Sequence, residues 1–159
     1  MGNVDFTFNG EPVTVEVGDE ELLLDTVRDR LGATSARYSC GIGVCGSCAV
    51  LVDGRAVSSC LKFTSMVSGR EVATAESVLG DTASVSSEVL DAFVGARAYQ
   101  CSYCIPAMAL TVASLLQQMP GLTLEQLRHH LGGNLCRCGS YPQVLEAVAR
   151  LVKEKESTT

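Results

Sequence analysis

The chain has 159 residues, of which 47% are hydrophobic, and carries a formal net charge of −6 at pH 7. This hydrophobic content is ordinary for a globular protein, and the negative charge argues against nucleic acid as a partner, because nucleic-acid binding depends on basic patches. No apolar run reaches the roughly 18 residues of a membrane span, so no membrane association is expected. Residues 1–5 lack the basic and apolar regions of an export signal, which makes the cytoplasm the expected compartment.

The N-terminal half predicts two β-hairpins and one helix. Residues 4–8 and 13–17 alternate between apolar and polar side chains, and Asn9-Gly10 between them is typical of a type I′ turn. Apolar residues at helical spacing predict a helix over 20–30. A second hairpin turn is expected at Asp53-Gly54. The remaining predicted strands cover residues 48–52, 55–59 and 71–75. These elements indicate a small β-grasp-like sheet.

The C-terminal half predicts helices only. Their expected extents are 85–98, 106–119, 123–131 and 143–153. Pro106 suits the first position of a helix, and Thr123 can cap one with Gln126 in its first turn. Four short helices with short connections favour a bundle. A stretch rich in Gly, Asp and Ser at 79–84 is the expected linker, so we predict an α+β protein with domains at residues 1–79 and 84–159.

Eight cysteines form two compact sets. The first set is Cys40, Cys45, Cys48 and Cys60, with the spacing C-x4-C-x2-C-x11-C. The second set is Cys101, Cys104, Cys136 and Cys138, with the spacing C-x2-C-x31-C-x-C. Four thiolates per set is the number that a [2Fe–2S] cluster takes from a protein, and the C-x4-C-x2-C opening matches plant-type sites. The spacing therefore predicts two iron–sulfur clusters and an electron carrier.

Two other uses of these cysteines stay open on spacing alone. Four disulfides would suit a small secreted scaffold, but the expected compartment is reducing. Two structural zinc sites are the closer alternative, because zinc held by four cysteines uses similar pairs. Gly41, Gly43 and Gly46 separate the first three cysteines and favour a cluster, since a loop around a cluster turns tightly and often needs φ > 0.

Other candidate functional residues are few. His129 and His130 could suggest a Rieske centre, in which two histidines replace two cysteines. The full set of eight cysteines leaves them no ligand position, so we expect ordinary helix residues. The chain contains no nucleophile–base pair, paired carboxylates or nucleotide-binding motif, and no catalytic residue is therefore expected.

Three motifs combine these cysteines with specific neighbours. They read C-G-I-G-V-C-G-S-C at residues 40–48, Q-C-S-Y-C at 100–104 and G-N-L-C-R-C at 133–138. With these motifs the chain resembles, over nearly its whole length, the small iron–sulfur subunit of the molybdenum hydroxylases, the xanthine dehydrogenase/aldehyde oxidoreductase family. The resemblance implies a plant-ferredoxin-like N-terminal domain and a four-helix C-terminal domain, each holding one [2Fe–2S] cluster.

The resemblance also implies a hetero-oligomer, as a single or doubled set of subunits. A large partner subunit would carry a molybdenum-pterin cofactor, contacted by Gln100 and the Cys138 segment, and a medium subunit would carry FAD. Electrons leaving molybdenum would pass through the second cysteine set and then through the first set to FAD. The alternative is a free-standing two-cluster ferredoxin, which, unlike a subunit, should expose no apolar patches.

The chain departs from the motifs usual in that family. The usual Q-C-G-F-C-T-P-G differs here at Ser102, Tyr103, Ile105 and Ala107, and the usual T-G-Y after Cys138 is replaced by Gly139-Ser140-Tyr141. Ser102 stands in place of a residue free to take φ > 0, so this loop is expected to adopt another conformation than in the family. Ile105 lacks a hydroxyl that could cap the helix at Pro106, an expected loss of about 1 kcal/mol. All eight cysteines are retained.

Overall fold

The computed structural model describes residues 1–79, 85–119 and 121–156. Most of the predicted linker, residues 80–84, and the last three residues of the chain lie outside this described part. The N-terminal half contains a five-stranded mixed sheet and the C-terminal half contains four helices. This arrangement confirms the predicted α+β class.

The sheet has the strand order β2-β1-β5-β3-β4. Its strands are β1 (Gly2–Phe8), β2 (Glu11–Val17), β3 (Ala49–Val52), β4 (Arg55–Ser58) and β5 (Glu71–Ala73). The two predicted hairpins are β1–β2 and β3–β4, and β5 lies between them, parallel to β1 and antiparallel to β3. Both hairpin turns have two positive φ angles, 51° and 89° at Asn9-Gly10 and 49° and 77° at Asp53-Gly54, as a type I′ turn requires.

The helix predicted over 20–30 begins later and changes type. It consists of α1 (Leu23–Asp25), which continues as the π-helical segment Thr26–Arg30. Leu22 forms an antiparallel bridge with Phe63, so the chain is still extended where the hydrophobic pattern predicts a first helical turn. The pattern could not show this long-range pairing, because it reflects only which side chains are buried.

Short turns and a short helix replace the last residues of two strands that the sequence pattern predicts. Two 3-10 turns, Ser59–Leu61 and Thr64–Val67, follow β4, and helix α2 (Ala75–Val78) follows β5. Residues 59 and 75 therefore belong to turns and helix rather than to the predicted strands.

The C-terminal helices agree with the predicted positions. They are α3 (Val85–Gly95), α4 (Ile105–Gln118), α5 (Leu124–Leu131) and α6 (Tyr141–Glu156). Helix α3 ends three residues before its predicted end, because Arg97 has a φ of 50° and the Ala98 N–H bonds back to the Phe93 oxygen at 2.8 Å. Thr123 caps α5 as predicted, in a reciprocal capping box with Gln126.

Each half has its own hydrophobic core. Leu23, Leu24 and Val27 are fully buried against the sheet, while Phe93 and Met108 lie in the core of the helical half. A third, small cluster joins the halves, and it consists of Leu51, Ala75 and Leu110. No helix in the described ranges is long and apolar enough to cross a bilayer.

Candidate iron–sulfur sites

The first three cysteines lie on a loop, residues 38–48, that has no regular secondary structure. Gly41, Gly43 and Gly46 have φ angles of 68°, 74° and 66°, which bend the loop as predicted. The fourth cysteine, Cys60, comes from the 3-10 turn that follows β4. The loop runs into β3, and Cys60 follows β4, so the β3–β4 hairpin connects the first three cysteines to the fourth.

The thiols of this first set have opposite pKa shifts. The backbone N–H groups of Ile42 and Cys45, the latter 3.4 Å from the Cys40 sulfur, lower the pKa of Cys40 to about 6. Burial, together with the neighbouring Cys48 thiol, raises the pKa of Cys60 to about 11. The thiolate is the form that binds metal, so a positively charged group must hold Cys60 ionised at neutral pH.

The second set is assembled from two helix connections. Cys101 and Cys104 lie before α4, with Cys104 at the N-cap position, whereas Cys136 and Cys138 lie between α5 and α6. Burial and the Cys136 thiol raise the pKa of Cys104 to about 12. Cys101 and Cys138 are exposed, so this set has one buried side and one side open at the protein surface.

The connection that carries Cys136 is held by hydrogen bonds that the sequence analysis did not foresee. Burial would raise the pKa of Cys136, but the Ser140 N–H, 3.4 Å from the sulfur, and the Ser140 hydroxyl lower it to about 7. The Tyr141 hydroxyl accepts a hydrogen bond from the Cys136 N–H at 2.8 Å and donates one to the Asn134 oxygen at 2.9 Å. In the sequence, these hydrogen bonds are indicated only by the closeness of Asn134, Ser140 and Tyr141 to Cys136 and Cys138.

The structure brings each predicted set together as two thiol pairs. The pairs in contact are Cys40 with Cys45, Cys48 with Cys60, Cys101 with Cys138, and Cys104 with Cys136. All eight thiols are free. Over the described residues, no three His, Cys, Asp or Glu side chains are arranged to bind one metal ion. Each iron of a [2Fe–2S] cluster takes two protein ligands, so a set of two thiol pairs suits such a cluster.

The two cysteine loops touch each other directly. The Leu135 N–H donates to the Cys45 oxygen at 2.8 Å, and the buried Asn134 side chain donates to the Gly46 oxygen at 3.2 Å. A Cβ atom at Gly46 would overlap the carbonyl oxygen of Gly133. A continuous connection of covalent bonds and one hydrogen bond therefore runs from the first cysteine set to the second.

Tyr103 makes a further contact between the loops. Its hydroxyl donates a hydrogen bond to the Tyr38 oxygen at 2.5 Å, and the Arg37 guanidinium lies 5.5 Å from the centre of its ring. The phenylalanine usual at this position would keep the ring contact and lose the hydrogen bond. This departure from the motif therefore adds a contact between the halves.

The other predicted site residues lie at the surface. The Gln100 side-chain nitrogen donates to the Cys138 oxygen at 2.9 Å, which places these two residues side by side at the open side of the second set. His129 and His130 are exposed on α5, with their ring centres 6.0 Å apart. They belong to neither thiol set, in agreement with their expected role as ordinary helix residues.

Two expectations about the departures need correction. Ser102 has a φ of 63°, so the serine itself adopts the left-handed conformation that glycine takes without steric cost, and the substitution does not force this position out of it. Ile105 is the first residue of α4, and the cap position belongs to Cys104, so a hydroxyl at position 105 would not be at the cap. The capping loss expected for Ile105 therefore does not apply.

The strain at Ser102 leads to a stability prediction. Ser102→Gly should stabilise the cluster-loaded chain by about 1 kcal/mol, because glycine adopts a positive φ without steric cost. Ser102→Ala is the matched control and should give no gain, since alanine keeps the strain. Thermal unfolding of both variants measures the difference, and equal melting temperatures for the two would contradict the prediction.

Two sets of four thiols, carried by loops that touch each other on a sheet-plus-bundle fold, are typical of an iron–sulfur electron carrier. The first half matches the family model described as a 2Fe-2S iron-sulfur cluster binding domain over residues 6–80. The second half matches the model described as a [2Fe-2S] binding domain over residues 74–149.

Known proteins resemble the chain over almost its full length. A nicotinate dehydrogenase subunit of Pseudomonas putida is 38% identical over 92% of each chain. The xanthine dehydrogenase iron-sulfur-binding subunit of Escherichia coli is 33% identical over 96% of this chain and 95% of its own length. In the crystal structure of quinoline 2-oxidoreductase from Pseudomonas putida, a chain 30% identical in sequence matches with a TM-score of 0.86, over 98% of this chain and 96% of that chain.

The chain belongs to the small iron–sulfur subunits of the molybdenum hydroxylases, the xanthine dehydrogenase/aldehyde oxidoreductase family. Its role is electron transfer, as the non-catalytic iron–sulfur subunit of a molybdenum hydroxylase. This confirms the predicted family, fold and function, and it does not favour the free-standing ferredoxin.

Proposed function

We propose that each cysteine set binds one [2Fe–2S] cluster, and that each contacting thiol pair binds one iron. The first set would serve the unit of residues 1–79 and the second set the unit of residues 84–159. Support comes from the four pair contacts and from backbone N–H groups that point at sulfur, as in the bond from the Cys45 N–H to Cys40. When bound, each cluster takes up and releases one electron at a time.

We propose that the open side of the second set faces the large molybdenum-pterin subunit. Cys101 and Cys138 are exposed there, and the bond from Gln100 to the Cys138 oxygen forms a polar edge beside them. A pterin carries many hydrogen-bonding groups, so a side-chain amide and a backbone carbonyl at this edge are suitable contacts. Electrons would enter the chain at this edge and leave through the first set.

We propose that an apolar rim around the first set binds the FAD-carrying medium subunit. The rim consists of Ile42, Val44, Leu61, Phe63 and Met66, and their exposed fractions are 69%, 57%, 63%, 39% and 53%. Apolar surface concentrated around a redox site favours a stable partner over a freely diffusing shuttle. The compartment we propose is the cytoplasm, where the eight thiols would stay reduced for metal binding.

The relatives differ in the substrates that their names mention. They include nicotinate dehydrogenase, isoquinoline 1-oxidoreductase and nicotine 6-hydroxylase subunits, each 34–38% identical to this chain. Subunits with similar sequences thus belong to enzymes with different substrates, which fits a chain whose own residues perform no catalysis. We propose that substrate choice lies in the large subunit.

Purification of the tagged chain from its native host tests these partners. We expect two larger chains, molybdenum and FAD to co-purify with it, and about four irons per small chain. Ile42→Asp should lose the FAD-carrying chain and keep the molybdenum-carrying one, because a carboxylate in the apolar rim opposes docking. Val94→Asp is the control, since Val94 is 54% exposed on α3, outside the rim. Iron alone on a monomer would contradict the proposal and favour the free ferredoxin.

A further inference from the structure

Ser140 has a buried hydroxyl that makes no well-formed hydrogen bond within the described residues. The residue is 2% exposed, and its Oγ makes no hydrogen bond of ordinary geometry to any group in the part of the chain that the structure describes. Buried hydroxyl groups are nearly always paired, because an unpaired one loses its bonds to water without replacement. The Ser140 hydroxyl therefore needs a partner that the described residues do not supply.

The ordinary structural explanation for this serine does not apply. Ser140 precedes α6, and its oxygen accepts the first helical hydrogen bond, from the Val144 N–H at 3.0 Å, so it occupies the N-cap position. A serine there usually accepts a hydrogen bond from an N–H of the first turn through its hydroxyl. Here the hydroxyl makes no such bond. A role as a helix cap therefore does not explain why the hydroxyl is buried.

The backbone of Ser140 holds the hydroxyl beside the second thiol set. Its N–H donates to the Cys136 sulfur at 3.4 Å, while its carbonyl is fixed by α6. The Ser140 side chain is therefore attached to a backbone that contacts the sulfur proposed to bind iron.

We propose that the Ser140 hydroxyl donates a hydrogen bond to a sulfur of the second [2Fe–2S] cluster and raises the reduction potential of that cluster. The inference rests on the proposed ligand set. A reduced cluster carries one more negative charge than an oxidised one, and a hydrogen-bond donor at sulfur stabilises the more negative state. Ser140 is then a positioning and tuning residue that favours electron occupancy at the second set, where electrons enter the chain.

A redox titration of the purified complex tests this proposal, with both clusters followed by electron paramagnetic resonance in one sample. Ser140→Ala should shift the equilibrium for electron sharing between the two clusters about tenfold toward the first set, which corresponds to a potential of the second cluster about 59 mV lower for a one-electron couple. The first cluster is the internal control and should keep its potential. Ser140→Thr retains a hydroxyl, so the potential of its second cluster should stay close to that of the parent chain.

A second measurement separates hydrogen bonding from a structural effect. Electron–nuclear double resonance after exchange into deuterium oxide should show a hydroxyl proton coupled to the second cluster in the parent chain, besides the Ser140 N–H at the Cys136 sulfur, and only the hydroxyl coupling should be missing in Ser140→Ala. An unchanged potential, or equal shifts at both clusters, would overturn the inference. Failure of the proposed ligand set is distinguishable, because the signal of the second cluster would then be absent from the parent chain as well.

Discussion

Replacing Gly46 by alanine is expected to destabilise the chain by about 3 to 5 kcal/mol and to detach the two cysteine loops from each other. Alanine would have to adopt a φ of 66°, and its Cβ would overlap the Gly133 oxygen and lie 2.7 Å from the Asn134 side-chain nitrogen. The oxygen belongs to the backbone, so no change of rotamer can move it away. The buried hydrogen bond from Asn134 to the Gly46 oxygen would be lost as well.

Unfolding of the cluster-loaded chain by heat and by urea, followed through visible absorbance and iron content, measures this loss. Gly54→Ala is the matched control. Gly54 has a φ of 77°, but the nearest atom to its Cβ would be the Gln118 side-chain nitrogen at 3.9 Å, so only the cost of the left-handed backbone applies, about 1 to 2 kcal/mol. Equal losses in the two variants would show that position 46 needs glycine for its backbone conformation alone.

Gly46 also shows what sequence could and could not predict about the sites. The need for φ > 0 follows from the spacing of glycines between cysteines, which is a local pattern. The close approach of Gly133 and Asn134 depends on residues 88 positions apart in the case of the Asn134 bond, and no local pattern contains it. The cysteine sets were predictable because ligand type and spacing are written in the chain, whereas their mutual contact is a tertiary property.

The same distinction applies to the fold. Hairpin turns at Asn9-Gly10 and Asp53-Gly54 and the Thr123 cap are set by adjacent residues, and all were predicted correctly. The start of α1 was not predicted correctly, because it depends on the pairing of Leu22 with Phe63, which is distant in the sequence. Ser140 was noted only as a departure from a motif, since a hydroxyl at a helix start normally indicates a cap. The lack of a well-formed hydrogen bond to its hydroxyl can be recognised only from the three-dimensional positions of the neighbouring donors and acceptors.

Replacing Cys104 by serine is expected to remove one of the two electron paramagnetic resonance signals of the reduced chain and to lower the iron content from about four to about two per chain. Cys104 is 6% exposed and contacts the Cys136 thiol. A serine hydroxyl stays protonated at neutral pH and is a harder ligand than a thiolate, so it binds iron poorly in a sulfur-rich site. Cys104→Ala, which has no donor atom, should give the same result.

Cys48→Ser is the matched control, and it should remove the other signal, because Cys48 is also buried and contacts the Cys60 thiol of the first set. Two signals at full intensity in the Cys104 variant would contradict the ligand assignment. We expect the surviving cluster to keep its signal because the contact between the loops does not depend on Cys104. The bonds from the Leu135 N–H to the Cys45 oxygen and from Asn134 to the Gly46 oxygen involve neither thiol that is replaced, so the first loop keeps its support after the second cluster is lost.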